Sequence, residues 1–327
     1  MKNFLMALAA SCFMASAAAS DAAAQAYPSK PITLIVPSGT GGDADRLARA
    51  LATYMAKETN TPFVVEDHPG AGQLIGHKYF LQQPADGYTF MITSALPFMA
   101  TNIFLMHARF TLDDFDFIDN LWQDYAALYA NKTKPWKTLS SVIDAIKAEP
   151  GKVSASVIFG SSGQVAVLAM LEALKLPSNA IRVVTFDGGG ETKTAVAGGT
   201  VDLTGNQVNG METIKDTVVP LGIFDDHRIA SFDGPTVNEV LKAYNTSMPS
   251  ISGSTRSFVS LPAMRKKYPE RYEFIVAALQ RTIARPDFQA FMKSQNMEAN
   301  WVGPEKSKAQ IFENFETWRK YAPLLAK

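Results

Sequence analysis

Short β-branched apolar runs alternate with helical segments along the chain, and this alternation constrains the fold more than any other feature. Residues 32–36, 63–66 and 88–92 are rich in β-branched and aromatic residues, and each run has the length of one strand. Such runs are typical of parallel strands that are buried on both faces. The segments between them, 44–57 and 76–83, repeat apolar residues at helical spacing. This order predicts a βαβαβ unit in which helices cover a mostly parallel sheet.

The same pattern starts again in the middle of the chain. The predicted elements are strands at 126–130, 153–159, 183–186 and 201–204, helices at 140–148, 164–174 and 191–197, and two closing helices at 270–284 and 306–321. About 300 residues follow the N-terminal segment described next, and this length favours two domains over one. We therefore expect an α/β protein that is built from two α/β units.

The N-terminus has the layout of a secretory signal peptide. Lys2 provides a positive start, residues 4–19 are uncharged and mostly apolar, and Ala24-Gln25-Ala26 ends the segment with small residues. The apolar run is shorter than the roughly 20 residues that a membrane-spanning helix needs. We expect residues 1–26 to be removed and the rest of the chain to fold in the periplasm. Cys12, the only cysteine, lies in this segment, and a lipoprotein acylated at Cys12 is the alternative.

The composition excludes several classes of partner. Lys and Arg number 31, as do Asp and Glu, so the formal net charge is +0 and no excess positive charge attracts nucleic acid. The histidines, at positions 68, 77, 107 and 227, include no pair with the i, i+4 spacing of a zinc site. We predict neither a metal nor any other cofactor, and we expect a monomer.

Three glycine-rich loops follow predicted strands and precede predicted helices, at residues 38–42, 160–163 and 187–190. Glycine allows tight turns and a close approach to a ligand. The helix that follows presents unpaired N–H groups and the positive end of its dipole, which favours an anion such as a carboxylate. Ligands of open α/β sheets bind beyond the carboxyl ends of the strands, so loops from two domains can form one cleft. Each loop alone could also be an ordinary turn.

A dinucleotide-dependent oxidoreductase is one alternative function. Gly39, Gly41 and Ala44 fit the pattern G-x-G-x-x-A between a strand and a helix, and Glu66 and Asp67 follow a little over ~20 residues later, where an acid would bind a ribose. The export signal has no twin arginine, which argues against a protein that carries a cofactor out of the cytoplasm. Asp43 and Asp45 also place two negative charges at the helix start, close to the expected pyrophosphate position.

A serine hydrolase is the other alternative. Ser161 and Ser162 lie in a strand-loop-helix segment, and His227 could serve as a base. The local sequence Gly-Ser-Ser-Gly is not the G-x-S-x-G pattern of a nucleophile elbow, however. The prediction is therefore a binding protein rather than an enzyme, with these two enzyme classes left open.

An ordered series of short motifs runs along the chain. The motifs are Tyr27-Pro28-Ser29-Lys30-Pro31 with the strand that follows, Gly41-Gly42 with Asp45, and the segments at 69–72, 84–89, 150–153, 188–189, 198–203 and 235–239. This series resembles the Bug family, the extracytoplasmic solute-binding proteins of tripartite tricarboxylate transporters. Each motif alone is weak, but the ordered series is specific. The resemblance covers nearly the whole chain after residue 26.

The resemblance implies a type II periplasmic-binding-protein fold, with two α/β domains hinged around a central cleft. We place one domain at 27–125 plus 234–327 and the other at 126–233. The implied function is capture of a small organic carboxylate for delivery to the membrane permease subunits of a tripartite tricarboxylate transporter. The candidate ligand-binding residues are Ser38, Gly39, Thr40, Gly41, Gly42, Asp45, Thr93, Ser94, Phe159, Ser161, Ser162, Gly163, Phe186, Asp187, Gly188, Gly189, Asn206 and Arg256.

The segment at 252–258 is more polar than the resemblance leads us to expect. Within it, Arg256 could pair with a second ligand carboxylate through its guanidinium, or it could be a solvated surface residue. Phe98, Phe159 and Phe186 flank the candidate loops, where they could form flat apolar walls or belong to the core. On this basis we favour a dicarboxylate as the ligand, either aliphatic or aromatic.

Overall fold

The computed structural model describes residues 27–325, so the predicted signal peptide and Cys12 lie outside the described residues. The strands are β1 Ile32–Val36, β2 Phe63–Asp67, β3 Thr89–Ser94, β4 Asp116–Asn131, β5 Ser154–Ile158, β6 Arg182–Phe186, β7 Leu203–Gln207, β8 Val218–Ile223 and β9 Ser252–Ser260. The α-helices are α1 Asp43–Thr59, α2 Leu74–Leu81, α3 Ala95–Phe104, α4 Leu139–Ala148, α5 Ser162–Ala173, α6 Gly189–Ala197, α7 Val237–Leu241, α8 Pro262–Lys267, α9 Pro269–Ala284, α10 Pro286–Ser294 and α11 Pro304–Leu325. Strands and helices alternate through most of the chain, as predicted.

The first group of strands is ordered β2-β1-β3-β9-β4, and we call it, with its helices, the first lobe. β1 pairs in parallel with both β2 and β3, whereas β9 runs antiparallel to β3. α1 and α9 cover one face, where Leu47, Leu51 and Ile275 are fully buried in one apolar cluster. The spacing of Leu47 and Leu51 places both on the buried face of α1, so the sequence pattern gives the packing directly.

The second group of strands is ordered β4-β7-β5-β6, with β8 on the other side of β4, and we call it, with its helices, the second lobe. β5 pairs in parallel with β6 and β7, and α4, α5 and α6 pack on its faces. β4 joins the lobes, because it pairs with β9 as far as Tyr125 and with β7 from Ala126 onward. The change of partner lies where the predicted second domain begins, but the domain boundaries themselves stay a prediction.

β9 and the first half of β4 were not predicted as strands. The run from Ser252 to Ser257 has the composition of a loop, yet Ser254, Arg256 and Ser257 are buried because β9 lies between β3 and β4 in the centre of the sheet. Burial in a central strand therefore overrides the polar composition of this segment. Within residues 27–325, no helix combines the length and the apolar character that crossing a membrane requires.

Candidate ligand-binding cleft

A narrow polar cleft lies where strand-end loops of the two lobes face each other. From the first lobe come the loop after β1, the residue before α2 and the end of β3, and from the second lobe come the loop after β6 and the end of β7. The predicted residues that line the cleft are Ser38, Gly39, Gly42, Ser94, Asp187, Gly188, Gly189, Asn206 and Arg256, together with Phe98. The structure thus brings together loops that are far apart in sequence.

The two lobes approach each other closely across this cleft. A Cβ atom added at Gly188 would lie 3.8 Å from the Cα of Gly39, which is an ordinary van der Waals distance, so the two loops are close neighbours. The cavity between them has a volume of about 40 Å³. Because this space suits water better than an organic acid, a ligand needs the lobes to separate before it can enter.

Two helices begin at the cleft without a side-chain cap. α1 begins at Asp43 after Gly42, and α6 begins at Gly189 after Gly188, and neither preceding glycine can cap the helix with a side chain. The first amides of a helix have no carbonyl partner within that helix, and the helix dipole adds positive potential there. Two uncapped helix starts on opposite lobes are therefore suited to bind anionic groups.

Three predicted residues of the first loop shape that loop instead of lining the cleft. Asp45 is buried, and its Oδ2 accepts a hydrogen bond from the Gly41 amide at 2.8 Å, while its Oδ1 lies 2.7 Å from Arg49 Nε. The Thr40 hydroxyl donates to Asp67 at 2.9 Å. These contacts fix the turn that places the start of α1 at the cleft. They also engage Asp67, an acid that the dinucleotide alternative assigns to a ribose.

The loop after β5 lies outside the lining of the cleft, although it was predicted to contribute to it. Ser161 caps α5 by accepting from the Gln164 amide at 3.2 Å, and Ser162 Oγ accepts from the Gln207 side chain at 3.2 Å. At Gly163 an added Cβ would lie 2.2 Å from the Gly205 carbonyl oxygen, so this glycine allows α5 to pack on β7. Helix capping and packing thus account for all three residues.

Two predicted aromatic residues and Thr93 also lie outside the lining. The Phe159 ring lies close to Gly72, where an added Cβ would be 3.1 Å from it. Phe186 packs against an apolar cluster of the second lobe. Thr93 is fully buried beneath the cleft, where it contacts Gln73 and His77. Of the aromatic residues considered from the sequence, Phe98 is the one that lines the cleft.

Arg256 lines the cleft, but protein carboxylates already surround its terminal nitrogens. Its Nη2 lies 2.9 Å from Asp43 Oδ2, its Nη1 lies 3.4 Å from Asp124 Oδ2, and its guanidinium stacks 4.1 Å from the centre of the Trp122 ring. Its side chain is 3% exposed, so it is not a solvated surface residue. The expectation of a free guanidinium for a second ligand carboxylate therefore does not match this geometry, which leaves only Nε without a partner.

Asp124 is a fully buried carboxylate that contacts the cleft-lining Arg256 from behind. Burial raises its pKa to about 7, the neighbouring Arg256 acts in the opposite direction, and Asp43 raises the pKa further. Its Oδ1 accepts hydrogen bonds from the amides of Tyr125 and Asn209. Asp124, Asp43 and Arg256 thus form one connected charge cluster that spans β4, α1 and β9.

Several lining residues were not proposed as ligand-binding residues from the sequence, among them Asp43, Gln73, Lys193, Asn209 and Ser254. Lys193 lies one helical turn after the loop at 187–190, so helical spacing could have indicated it. Gln73 directly follows the Pro-Gly-Ala-Gly motif. Ser254 carries no such signal, because only the pairing of β9 brings it to the cleft.

A larger opening lies beside the cleft and shares Asn209 with it. It has a volume of about 830 Å³ and lies between residues 208–233 of the second lobe and residues 289–300 of the first. Neither uncapped helix start borders this opening, so we assign the candidate site to the narrower cleft. In the part of the chain that the structure describes, no group of three His, Asp or Glu side chains is placed to hold a metal ion.

Solved structures share this fold over most of the chain. The periplasmic binding protein BugD superposes with a TM-score of 0.78 at 22% identity, covering 92% of this chain and 99% of BugD. MatC from Rhodopseudomonas palustris with bound malate has a TM-score of 0.71 at 21% identity, covering 90% of this chain and all (100%) of MatC. A second R. palustris protein, with adipate, has a TM-score of 0.76 at 20% identity, covering 92% and 98%. The fold is therefore that of two-domain periplasmic binding proteins, as expected.

Sequence relatives agree with these structures. BugT of Bordetella pertussis is 31% identical over 192 residues, which are 58% of this chain and 58% of BugT. A Pseudomonas sp. (strain P51) protein from the tcbD-tcbE intergenic region is 24% identical over 310 residues, 90% of this chain and 86% of that protein. The chain spans about half the length of the first curated relatives that it matches. The family model described as tripartite tricarboxylate transporter family receptor, TctC, matches residues 47–323. The chain therefore belongs to the TctC family, to which the Bug-like motifs of its sequence pointed.

Proposed function

We propose that this protein is a periplasmic receptor that captures a small organic carboxylate in the cleft and delivers it to the permease subunits of a tripartite transporter. The ligand carboxylate lies between the uncapped starts of α1 and α6 and is held by their free amides. We favour a dicarboxylate, with one anionic group at each helix start. No chemical change of the ligand is part of this proposal.

One observation carries the proposal: three buried polar atoms of cleft-lining residues have no hydrogen-bond partner. They are Ser38 Oγ, Asp43 Oδ1 and Arg256 Nε. A buried polar group without a partner costs about 1–3 kcal/mol, so native proteins keep few of them, and a cluster at one cleft calls for an external partner. A polar ligand that reaches all three would supply it.

The ligands bound by two structural relatives support a carboxylate. MatC holds malate, and the second R. palustris protein holds adipate. Both are dicarboxylates, although they differ in length and in the hydroxyl group of malate. Within the proposal, the common feature is an anion at each end of a short chain.

The charge cluster gives a reason to expect binding chiefly by amides and hydroxyls. Asp43 and Asp187 offset the charges of Arg256 and Lys193, so the four charged residues that line the cleft sum to zero when all are ionised. A ligand carboxylate therefore meets helix starts, neutral donors such as Ser38 and Ser94, and the Lys193 ammonium, which donates to the Gly210 carbonyl oxygen at 3.3 Å. The guanidinium of Arg256 is already paired with Asp43 and Asp124. Such a site binds anions without the large desolvation cost of an unpaired guanidinium.

Calorimetric titration of the mature protein with succinate, malate, adipate, citrate and NAD⁺ tests this function. We expect binding of at least one dicarboxylate and none of NAD⁺. In the variant Gly39→Trp the indole should occupy the space between the loops and abolish binding, and a Cβ at this position meets no atom within 4 Å, so the side chain can leave the backbone without a clash. Lys152→Trp, at a side chain that is 73% exposed, is the matched control and should bind normally.

Binding of NAD⁺ with no binding of any carboxylate would refute the receptor function in favour of an exported oxidoreductase. Equal binding by the Gly39→Trp variant and the parent would place the ligand elsewhere, with the larger opening beside Asn209 as the next site to test.

A further inference from the structure

A buried chain of hydrogen bonds runs from the body of the first lobe to the cleft. It joins Asn102 on α3, His77 on α2, Thr93 on β3 and Gln73 just before α2. All four side chains are buried, and Gln73, which is 5% exposed, is the member that lines the cleft. The receptor function proposed above uses no member of this chain, so its purpose is open.

The chain has a direction that Asn102 fixes at one end. Asn102 Nδ2 donates to the backbone carbonyl of Gly72 at 2.9 Å, and a carbonyl can only accept. The other end of the amide, Oδ1, therefore faces His77 Nδ1 at 2.7 Å. Since Oδ1 has no proton to give, His77 must carry its proton on Nδ1.

His77 is neutral in this environment. Its ring is fully buried, and the rings of Phe110 and Phe115 lie against it with centroids 5.8 and 6.0 Å away. Burial lowers the pKa of His77 to about 4. A neutral ring with its proton on Nδ1 has an acceptor at Nε2, and Nε2 lies 2.9 Å from Thr93 Oγ1. The single hydroxyl proton of Thr93 is therefore donated to His77.

This assignment decides which end of the Gln73 amide faces Thr93. Thr93 Oγ1 lies 2.9 Å from the Gln73 atom placed as Oε1, and that contact would need the same hydroxyl proton a second time. Two acceptors at this distance repel each other, whereas an amide N–H donating to Thr93 satisfies both groups. The two ends of an amide are nearly identical in size, so turning the amide over requires no other movement. The oxygen of Gln73 then faces the cleft.

We propose that Gln73 is a specificity-determining residue of the cleft, and that Thr93, His77 and Asn102 hold its side-chain oxygen toward the ligand as a hydrogen-bond acceptor. Asp43 lines the same cleft, and its Oδ1, also an acceptor, has no hydrogen-bond donor, since Arg46 Nη1 lies 3.7 Å away. Two acceptors favour a ligand that carries a donor, so the class is a carboxylate that also bears a hydroxyl or ammonium group. This inference rests on the receptor function proposed above and narrows its substrate class.

The orientation can be tested without any ligand. NMR of the mature protein labelled with ¹⁵N-histidine at pH 7.5 reports which ring nitrogen of His77 carries the proton, and His77→Gln identifies its signals among those of the histidines at 68, 107 and 227. We expect the Nδ1–H form. An Nε2–H form, or a doubly protonated ring, would overturn the proposal, because Thr93 could then donate to Gln73 and leave the amide nitrogen facing the cleft.

The ligand class is tested by titrating succinate, malate and aspartate, which share two carboxylates and differ in hydroxyl and ammonium groups. We expect malate or aspartate to bind about tenfold or more tightly than succinate, the effect of one well-formed hydrogen bond to a buried group. Tighter binding of malate alone would identify a hydroxyl group as the ligand donor, and tighter binding of aspartate alone would identify an ammonium group. Succinate binding as tightly as both would overturn the inference.

Variants assign the selectivity to Gln73. Gln73→Leu should remove most of the preference for malate or aspartate over succinate, and Thr93→Val should reduce it by releasing the amide. Gln82→Leu, at an exposed position just after α2, should change nothing. An equal loss of affinity for all three acids would assign Gln73 a structural role only and overturn the proposal. If none of the acids binds, the receptor function fails for this class, while the NMR result still decides the orientation of Gln73.

Discussion

Arg256 shows how burial changes the role of a single residue. In sequence it is a lone cation in a polar segment, whereas in the structure it holds Asp43 and Asp124 together at the junction of the lobes. The local sequence does not indicate either acid as a partner of Arg256, since Asp124 and Asp43 are both more than 100 residues away in sequence. Its contacts assign Arg256 to the framework of the cleft.

Replacing Arg256 with Gln should strongly destabilise the protein. The change leaves the fully buried Asp124 without a counter-charge, while Asp43 keeps Arg46 at 3.7 Å, and breaking a buried ion pair on one side costs about 3–5 kcal/mol. Urea unfolding measures the loss. Arg228→Gln is the control, because Arg228 and its partner Glu239 are 63% and 41% exposed and such pairs contribute about 0–1 kcal/mol. Equal effects of both changes would contradict the framework role.

Asp119 on β4 offers a test of pH dependence away from the cleft. Its Oδ1 accepts from the amides of Val302 and Gly303, both at 2.7 Å, yet burial outweighs these bonds and raises its pKa to about 6. The raised value means that the folded protein binds a proton between about pH 4 and pH 6 more tightly than the unfolded chain. The stability from this group is thus present at acid pH and is lost as the pH rises through 6.

Asp119→Asn should remove this pH dependence. Between pH 4 and pH 7 the parent should lose free energy of unfolding relative to the variant, by about 1.4 kcal/mol for each unit of pKa difference. The difference between the two curves isolates Asp119 from His77, whose lowered pKa gives a slope of opposite sign. Asp113→Asn, at a side chain that is 72% exposed, should run parallel to the parent. Curves for Asp119→Asn and the parent that stay parallel would contradict the assignment.

At the scale of elements, glycines decide how closely helices approach the sheet and the cleft. The loops at 160–163 and 187–190 look alike in sequence, but they are used differently. Gly163 lets α5 pack on β7, whereas Gly188 and Gly189 place the start of α6 at the cleft. The two loops differ because different elements pack behind them, and this packing cannot be read from the local sequence.

Gly163→Ala should therefore affect stability and not ligand binding. The added methyl group would meet the Gly205 carbonyl oxygen at 2.2 Å, and forcing the backbones apart should cost about 1–3 kcal/mol or more in thermal or urea unfolding. Gly190→Ala is the matched control, because nothing lies within 4 Å of the added group and alanine favours the helix by roughly 0.5–1 kcal/mol. A Gly163→Ala protein as stable as the Gly190→Ala protein would contradict this packing.

At the scale of the whole molecule, the narrow cleft implies a movement. The loops at Gly39 and Gly188 lie close together, and β4 belongs to both lobes, so opening has to bend this shared strand. A ligand that contacts both lobes favours the closed arrangement through contacts that the open one cannot make.

Small-angle X-ray scattering should detect this movement. We expect the radius of gyration to be smaller with a saturating dicarboxylate than without it, because the ligand draws the lobes together. The Gly39→Trp variant, which is expected not to bind, should show the same radius in both conditions. An unchanged radius for the parent protein, under conditions where calorimetry shows full binding, would contradict a hinged cleft.

Local sequence patterns were sufficient to predict the alternation of strands and helices, the two α/β units, and the family. It could do so because apolar periodicity and glycine-rich loops are local properties, and because the family motifs follow in order along the chain. For the same reason the elements α1, α9 and the strands β1 and β5 were predicted at nearly their observed positions. The uncapped starts of α1 and α6 also follow from local sequence, since glycine precedes each helix.

Only the tertiary structure decided which of the candidate residues meet. β9 has a loop-like composition and becomes a strand because β3 and β4 pair with it on both sides, and this pairing carries Ser254 and Arg256 to the cleft. The direction of the chain from Asn102 to Gln73 likewise depends on contacts between three separate elements. Strand pairing and burial depend on residues far apart in sequence. The local pattern that predicts the helices and strands therefore could not predict which residues line the cleft.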